Sequence, residues 1–312
     1  MTFSAKLAAK GATVLAVGAL ALTACTNASE TGGAKPSGTS SAAASFDPSS
    51  VAKDDSLASQ VPAAIKSKGT LVIGSDTTYA PAEFLGGADN HTAMGYDVDI
   101  AKAIAATLGL KADVQTAEFT GILPALGPKY DLGISSFTIT KERLQAVNFV
   151  SYFNAGVSWA VQKGNPKKFS TDDVCGKSIG VQTGTTEADE VKALSDKCTA
   201  GGKTAINIVT LDKQTDLNTR LVNGAIDAMS ADSPVVAYAI QQTNGSLEKV
   251  GETTEVAPEG IAVAKGDTAL ADLIQKTMTK LIADGSYKKI LDGWNNSDGA
   301  VTKSEVNPSV SS

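Results

Sequence analysis

The middle of the chain carries the stretch Asp-Leu-Gly-Ile-Ser-Ser-Phe-Thr-Ile-Thr-Lys-Glu-Arg, residues 131–143. It begins as a short apolar strand, continues through four hydroxyl side chains and ends on an arginine. Small hydrogen-bond donors at the end of a strand suit a small polar ligand. We therefore expect this stretch to lead from a buried sheet into a binding site.

Arg143 is unusual in this composition. The chain has 27 lysines and arginines, of which only Arg143 and Arg220 are arginines. A guanidinium grips a carboxylate with two parallel hydrogen bonds, which lysine cannot do. The alternative is an exposed ion pair with Glu142, which would contribute little to stability. The neighbouring hydroxyl groups favour the carboxylate site, although the residues alone leave both interpretations open.

Strands and helices alternate around this stretch. The apolar pattern predicts a strand at 70–74, a helix at 95–109, a strand at 111–116, a short helix at 122–126 and a strand at 130–135. This βαβαβ order predicts a parallel sheet with covered faces.

A second βαβαβ set follows. Its strands are predicted at 178–181, 206–211 and 225–229, and its helices at 185–194, 213–222 and 233–241. An apolar strand at 259–264 and helices at 270–282 and 286–294 come after it. Two such sets predict an α/β fold with two lobes, and the length of 312 residues also favours about two domains.

The N-terminus has the pattern of an export signal. Two lysines precede an apolar run at 12–22, and the tetrapeptide Leu-Thr-Ala-Cys ends at Cys25. The run is too short to span a bilayer comfortably. The tetrapeptide resembles the bacterial lipobox, which implies a lipoprotein signal peptide at 1–24 and a lipid on Cys25. An ordinary secretory signal with a chance cysteine is the alternative.

Both ends of the remaining chain are polar. Small and polar residues predict a flexible tether over 25–68, and the polar composition of 297–312 predicts a disordered tail. The folded body is therefore expected between these segments.

Two cysteines remain, Cys175 and Cys198, and an even number in an oxidising compartment predicts a disulfide. His91 is the only histidine, so a histidine-based metal site or a Ser-His-Asp triad is close to excluded. The net charge of −6 implies no basic face and argues against nucleic-acid binding. We predict no cofactor, no metal and no catalytic residue.

Six segments together carry a family resemblance. They are Asp76–Pro81 with Glu83-Phe84, Gly95–Asp99, Phe119–Leu126, Ser135–Arg143, Gly184–Thr186 and Gly224–Asp232. The chain resembles, over residues 69–294, the polar amino-acid-binding family (family 3) of bacterial ABC importer solute-binding proteins. The resemblance implies a two-lobe periplasmic-binding-protein-like fold (type II), in which two parallel-type sheets flanked by helices are joined by a two-segment hinge.

The resemblance also implies the lobe boundaries. Lobe 1 is expected to be discontinuous, over 69–158 plus 259–296, and lobe 2 to span 159–258. The two crossovers of the hinge are expected near 156–162 and 257–264. The ligand would lie between the lobes, which close over it.

Five positions match family residues that hold the head of an amino acid. Arg143 matches the arginine that takes the α-carboxylate, and Thr186 matches a second contact to it. Ser136 and Thr138 match residues that bind the carboxylate and the ammonium. Asp232 matches the carboxylate that pairs with the α-ammonium, although its sequence context also suits the N-cap of the following helix.

Three positions match residues around the ligand side chain. Tyr79 and Phe119 match the aromatic pair that sandwiches it, although isolated aromatics are more often core residues. Asp76 matches a position that touches the side-chain head in some members, with a turn acid as the alternative. A buried acidic ligand head would lack a partner here, which is costly. The resemblance therefore favours a neutral polar or cationic amino acid, such as glutamine, arginine or lysine, over glutamate.

The family implies a monomer on the extracellular face of the membrane, held by its lipid, that delivers the amino acid to an ABC permease with its ATPase. An alternative is a cyclohexadienyl-dehydratase-like enzyme on the same scaffold, with Glu187 or Glu83 as general acid. Another is a ligand-sensing module, which would need a spanning helix or an appended domain.

Overall fold

A computed structural model describes residues 46–310 of the chain. Its strands are β1 Thr70–Ser75, β2 Thr78–Tyr79, β3 Glu83–Gly86, β4 Thr92–Met94, β5 Lys111–Thr116, β6 Leu132–Gly133, β7 Val147–Gln162, β8 Ser178–Gln182, β9 Asn207–Leu211, β10 Ala228–Asp232 and β11 Leu247–Ala264. Its α-helices are α1 Asp55–Ser59, α2 Ala63–Lys68, α3 Tyr96–Thr107, α4 Phe119–Ile122, α5 Lys141–Ala146, α6 Thr186–Ala200, α7 Gln214–Val222, α8 Ser233–Gln242, α9 Thr268–Ala283 and α10 Ser286–Gly293. Within this part of the chain, no helix is long and apolar enough to cross a bilayer.

The main sheet has eight strands in the order β5-β1-β6-β11-β7-β10-β8-β9. Strand β1 is parallel to β5 and β6, and β8 is parallel to β9 and β10. The long strands β7 and β11 are antiparallel to each other and lie between these two parallel sets. The predicted α/β fold with two βαβ sets is therefore confirmed. Hydrogen bonding through β7 and β11 joins the two sets into one continuous mixed sheet.

The pairing of β7 with β11 is regular at both ends and irregular in the middle. Its register shifts between Val250 and Thr254, between Thr254 and Ala257, and between Glu259 and Gly260. Extra residues of this kind bend a strand and increase its local twist. The central sheet is thus bent where the chain passes from one parallel set to the other.

Each parallel set has its own apolar core. Helices α3, α9 and α10 bury residues such as Ile100, Ile274 and Leu291 against the β1 side of the sheet. Helices α7 and α8 bury Leu217 and Val235 on the other side of the β7–β11 pair. The predicted disulfide is present, since Cys175 and Cys198 are joined in a third cluster that packs under α6.

A small antiparallel sheet, β2-β3-β4, was not predicted. Its strands have only two to four residues, which is too short for an alternating pattern to stand out. The turn from it into α3 requires Gly95, which has φ of 124°, because a Cβ at this position would lie 2.0 Å from the Ala82 carbonyl oxygen.

The predicted tether over 25–68 is wrong for its described part. Residues 46–68 form a short 3-10 helix, α1 and α2. Val61 and Ile65 are buried in the core under α3, and Leu57 packs against it. The prediction failed because the segment has few large apolar residues, yet those few are the ones that dock. Cys25 and the predicted signal peptide at 1–24 lie outside the described residues.

The predicted disordered tail over 297–312 is also wrong for its described part. Ala300 pairs with Phe153 and Val306 with Val150 in antiparallel bridges along β7. The hydroxyl of Ser304 is buried and donates to the Ser151 carbonyl at 2.7 Å. In this half of the sheet β7 has β11 on one side only, so the tail covers backbone groups that would otherwise form an edge.

Removing residues 300–312 is expected to lower the free energy of unfolding by at least about 2 kcal/mol, because it exposes the edge of β7 and breaks several buried hydrogen bonds. Urea unfolding measures the change. Replacement of the exposed Lys303 by alanine is the control and should alter stability by less than about 0.5 kcal/mol. Equal stability of the truncated and full-length chains would contradict this role of the tail.

Candidate functional site

A narrow cleft lies between the two parallel sets of the sheet. Its twelve lining residues include all eight predicted ligand contacts. These are Asp76, Tyr79, Phe119, Ser136, Thr138, Arg143, Thr186 and Asp232. The other four were not among the predicted ligand contacts, although Glu83 and Glu187 were named as general acids of the alternative enzyme; they are Glu83, Gln182, Thr185 and Glu187. Each of these four lies within a few residues of a predicted ligand contact in the sequence, or beside one in the cleft. This proximity is the signal that could have identified them as lining residues.

The topology brings these residues together from distant parts of the chain. Asp76 follows β1, Ser136 follows β6, Thr186 begins α6 and Asp232 ends β10. In α/β sheets the carboxyl ends of parallel strands form the crevice in which ligands bind. Here the carboxyl ends of both parallel sets contribute to the same cleft.

The guanidinium of Arg143 reaches across the cleft. Its Nη1 donates to the Thr138 carbonyl at 2.9 Å, and its Nη2 donates to the Gly184 carbonyl at 3.0 Å. Its Cζ lies 5.5 Å from the ring centroid of Phe119 and 5.9 Å from that of Phe137. These contacts fix the orientation of the guanidinium and leave further N–H groups of its five for a carboxylate.

The start of α6 faces the same point. Gly184 has φ of 78°, and a Cβ there would lie 2.5 Å from the Thr120 side chain, so this turn requires glycine. The Thr185 hydroxyl caps the helix by accepting from the Ala188 N–H at 3.2 Å. Thr186 Oγ1 lies 3.3 Å from Thr138 Oγ1 across the cleft. The positive end of a 15-residue helix next to Arg143 creates a site suited to an anion.

Ser136 holds a strained backbone conformation. Its φ is 46°, in the left-handed region that non-glycine residues rarely adopt. The Ser136 N–H donates to Asp97 Oδ2 at 3.0 Å, and its buried Oγ has no partner within the described residues. Strain of this kind clusters where a fold positions a functional group. The free hydroxyl is available to a ligand in the cleft.

Asp232 is directed into the cleft and does not cap a helix. It occupies the N-cap position of α8, yet its side chain makes no capping hydrogen bond. Instead Oδ2 accepts a hydrogen bond of 2.9 Å from the Tyr79 hydroxyl, which in turn accepts from the Asp232 N–H at 3.1 Å. Burial raises the pKa of Asp232 well above its usual range, and the nearby carboxylate of Glu187 raises it further.

Asp76 makes the contacts of a turn acid and also lines the cleft. Its Oδ1 accepts from the N–H and the hydroxyl of Thr78, as a turn acid does. Its Oδ2 accepts from Gln182 Nε2 on β8, on the opposite side of the cleft. Asp76 is therefore a turn residue whose carboxylate also faces the cleft, and burial raises its pKa.

The charges of the cleft are unbalanced. Its lining residues include four carboxyl groups, those of Asp76, Glu83, Glu187 and Asp232, and a single cation, Arg143. Burial raises the pKa of Glu187, and Arg143 only partly opposes that rise. Burying carboxylates without positive partners is unfavourable. The cleft therefore favours a ligand that brings positive charge.

A buried carboxyl cluster lies next to the cleft and consists of Glu83, Asp97 and Glu259. Tyr152 donates to Asp97 Oδ1 at 2.7 Å and lies 3.4 Å from Glu259 Oε2. Glu83 Oε2 receives no hydrogen bond from another donor in the described residues. Burial is the main cause that raises the pKa of Glu83 well above its usual range. Repulsion from Asp97 and a hydrogen bond between the two carboxyl groups raise it further. A proton held by Glu83 and donated to Asp97 would satisfy both groups.

Comparison with known proteins gives a consistent match. Residues 71–297 match the family described as bacterial extracellular solute-binding proteins, family 3. The arginine-binding protein ArgT of Corynebacterium glutamicum is 30% identical over 80% of this chain and 82% of its own length. The L-cystine-binding protein TcyJ of Escherichia coli is 28% identical over 77% of this chain and 86% of its own. A solved ancestral arginine-binding protein bound to arginine has a TM-score of 0.66, with 38% identity, and covers 72% of this chain and 98% of its own.

Raising the pH above about 5 is expected to destabilise the protein through the carboxyl cluster. Because burial raises the pKa of Glu83 and Glu259, the folded state keeps protons that the unfolded state has already released. Their contribution to stability is complete below the unfolded pKa and is lost as the pH rises through the folded pKa, by about 1.4 kcal/mol per pH unit for each proton.

The variant Glu83→Gln should weaken this pH dependence, because an amide keeps the size and donates to Asp97 without a titrating proton. Urea unfolding between about pH 5 and pH 8 measures the slope. Replacement of the exposed Glu118 by glutamine is the control and should leave the slope of the wild type unchanged. If the free energy of unfolding falls with pH at the same slope in the wild type and in Glu83→Gln, Glu83 does not hold the proton.

Proposed function

The chain belongs to family 3 of the bacterial extracellular solute-binding proteins, and on that premise we propose that it captures a cationic L-amino acid, arginine above all, for an ABC importer. The observation that carries this proposal is the charge imbalance of the cleft: apart from Glu83, whose raised pKa favours its protonated form, three carboxyl groups face one guanidinium. The names of the relatives support the same ligand class, since both ArgT and the ancestral protein bind arginine.

The head of the amino acid is proposed to lie between Arg143 and Asp232. The α-carboxylate accepts from the remaining N–H groups of Arg143 and from the start of α6 at Thr186. The α-ammonium donates to Asp232 and to the buried Ser136 hydroxyl. This placement supplies a partner for Ser136 Oγ, which is otherwise unpaired in the described residues.

The side chain is proposed to extend past Tyr79 and Phe119 towards Asp76. Once the head has engaged Arg143 and Asp232, Asp76 is a carboxyl group of the cleft that still lacks a cationic partner, and Gln182 lies beside it. A guanidinium satisfies Asp76 with charge-assisted hydrogen bonds and stacks on an aromatic face. Glutamine would leave the negative charge unbalanced, and glutamate would add to it. For this reason we propose that arginine and lysine bind more tightly than glutamine.

Delivery to the importer is proposed to follow from closure of the two lobes. Lobe 1 is taken as 69–158 plus 259–296, extended by residues 46–68 and 300–310, and lobe 2 as 159–258. The register shifts in the β7–β11 pair support a hinge at this place. The ligand bridges Arg143 and Asp232, so it favours the closed form that a permease with its ATPase would recognise. A lipid on Cys25 would keep the protein on the outer face of the membrane.

A turnover assay distinguishes this binding function from the activity of an enzyme with the same fold. The relatives reported above are named as binding proteins. In a dehydratase, Glu187 or Glu83 would have to protonate a leaving group. Reversible arginine binding, with no change in a cyclic prephenate-like acid after prolonged incubation, is the expected result, and catalytic loss of that acid would overturn the proposal.

Arg143→Ala is expected to weaken arginine binding by at least about 2 kcal/mol, or roughly thirtyfold in Kd, because the ligand carboxylate would be buried without its partner. Isothermal titration calorimetry measures the affinity. The chain offers a matched control in its other arginine, since Arg220→Ala removes an exposed guanidinium from α7 and should leave Kd unchanged. Equal affinities of the two variants would remove Arg143 from the site.

The pair arginine and citrulline tests the role of Asp76, because the two ligands have the same shape and differ in charge. The wild type is expected to bind arginine at least about tenfold more tightly. Asp76→Asn should lose most of that preference, whereas the exposed-site control Asp113→Asn should keep it. A preference for arginine that persists in Asp76→Asn would place the side-chain head elsewhere.

A further inference from the structure

A second and larger cavity of about 250 Å³ adjoins the cleft. The two share Thr138, Thr186, Glu187 and Asp232, which surround the proposed position of the amino-acid head. The irregular segment of β11 forms another part of its wall. A ligand whose head occupies the cleft therefore has room to extend past the head into this cavity.

The second cavity is strongly acidic. Its lining contains five carboxyl groups, those of Glu187, Glu190, Asp232, Glu255 and Glu259, and no lysine, arginine or histidine. Glu187 is only 3% exposed and Glu259 only 1%. The Oε1 atoms of both receive no hydrogen bond from the described residues, nor does Oε2 of Glu190. Buried carboxyl oxygens without donors are costly, so these atoms are suited to a ligand with several N–H groups.

The chemistry of the cavity favours an organic cation. Among the described residues, no group of three or more potential metal ligands is arranged to hold an ion. An alkylammonium group carries three donors and one positive charge, which suits several dispersed carboxyl oxygens.

The proposed position of the amino-acid head restricts where an extension that carries an ammonium group can be attached to the ligand. Arg143 requires a free α-carboxylate, so that end of the ligand cannot be extended. The α-nitrogen lies at Asp232, which lines both cavities. An extension can therefore enter the second cavity only through this nitrogen, as it does in a peptide bond.

We infer that the protein also binds dipeptides with a C-terminal arginine or lysine, and that the acidic cavity holds their N-terminal ammonium. The inference rests on the proposed function, because it places the C-terminal residue in the cleft. The peptide N–H donates to Asp232 in place of the α-ammonium. The displaced positive charge reappears on the N-terminus, among Glu187, Glu190 and Glu255. A basic dipeptide thus keeps the charge that the site requires.

A comparison of glycyl-L-arginine with N-acetyl-L-arginine isolates the contribution of the N-terminal ammonium to binding. Both compounds carry the same amide, and only the first carries a charged amine. Calorimetry on the wild-type protein is expected to show that glycyl-L-arginine binds at least about tenfold more tightly. In the variant Glu190→Gln/Glu255→Gln this preference should fall to less than about threefold, with the Kd of arginine unchanged. Neither residue lines the cleft.

The control variant is Glu252→Gln/Asp272→Asn, which removes the same number of charges from exposed positions and should keep the full preference. Equal affinity for the two compounds, or binding of neither while arginine binds, would overturn this inference and leave the proposed function intact. A wild-type protein that binds no cationic amino acid would overturn the proposed function itself. A parallel loss of arginine affinity in Glu190→Gln/Glu255→Gln would also count against a separate ammonium site.

Discussion

The antiparallel pairing of β7 with β11 is the interaction on which the rest of the architecture depends. These strands of 16 and 18 residues are the ones shared by both halves of the sheet, and each parallel set is attached to one of their sides. Their pairing sets the carboxyl ends of β1 and β6 opposite those of β8 and β10. Because the register is broken between Val250 and Gly260, the pair also bends there. The cleft owes its two-sided lining to this continuity, and it lies close to the bend.

Electrostatics imposes the second constraint. The cleft and the neighbouring carboxyl cluster bury acidic groups that outnumber the single guanidinium of Arg143, and burial raises the pKa of these acids. The fold satisfies some of them with hydroxyl donors, such as Tyr79 for Asp232 and Tyr152 for Asp97. The other buried carboxyl groups either keep their protons or have no cationic partner within the described residues. Ligand preference and pH dependence thus have the same physical origin.

Much of this was accessible from the sequence. The strands and helices of both βαβ sets follow from strong apolar patterns, and the scarcity of arginine singled out Arg143 without structural knowledge. All eight residues proposed for ligand contact lie in one cleft. Sequence patterns failed where tertiary contact decides the structure. Residues 46–68 and 300–310 are too polar to predict burial, yet Ile65 and Ser304 dock because the folded body offers a groove or an open strand edge. Glu190 could not be assigned either, because a helix pattern does not say which of its acids face a cavity.

The docking of both terminal segments determines where a signal of ligand binding can be read. Phe46 and Leu57 near one end, and Ala300 and Val306 near the other, all pack against the same apolar core beneath α3 and α9. Lys276 on α9 also donates to Gln60 at 3.0 Å. Both ends of the described chain are therefore fastened to one half of the molecule. Under the proposed closure of the two lobes, a pair of fluorophores fused to the two ends would therefore show almost no change in distance. A biosensor built on this scaffold needs one reporter on the opposite half, for which the exposed turn at 201–204 after α6 is a suitable insertion point.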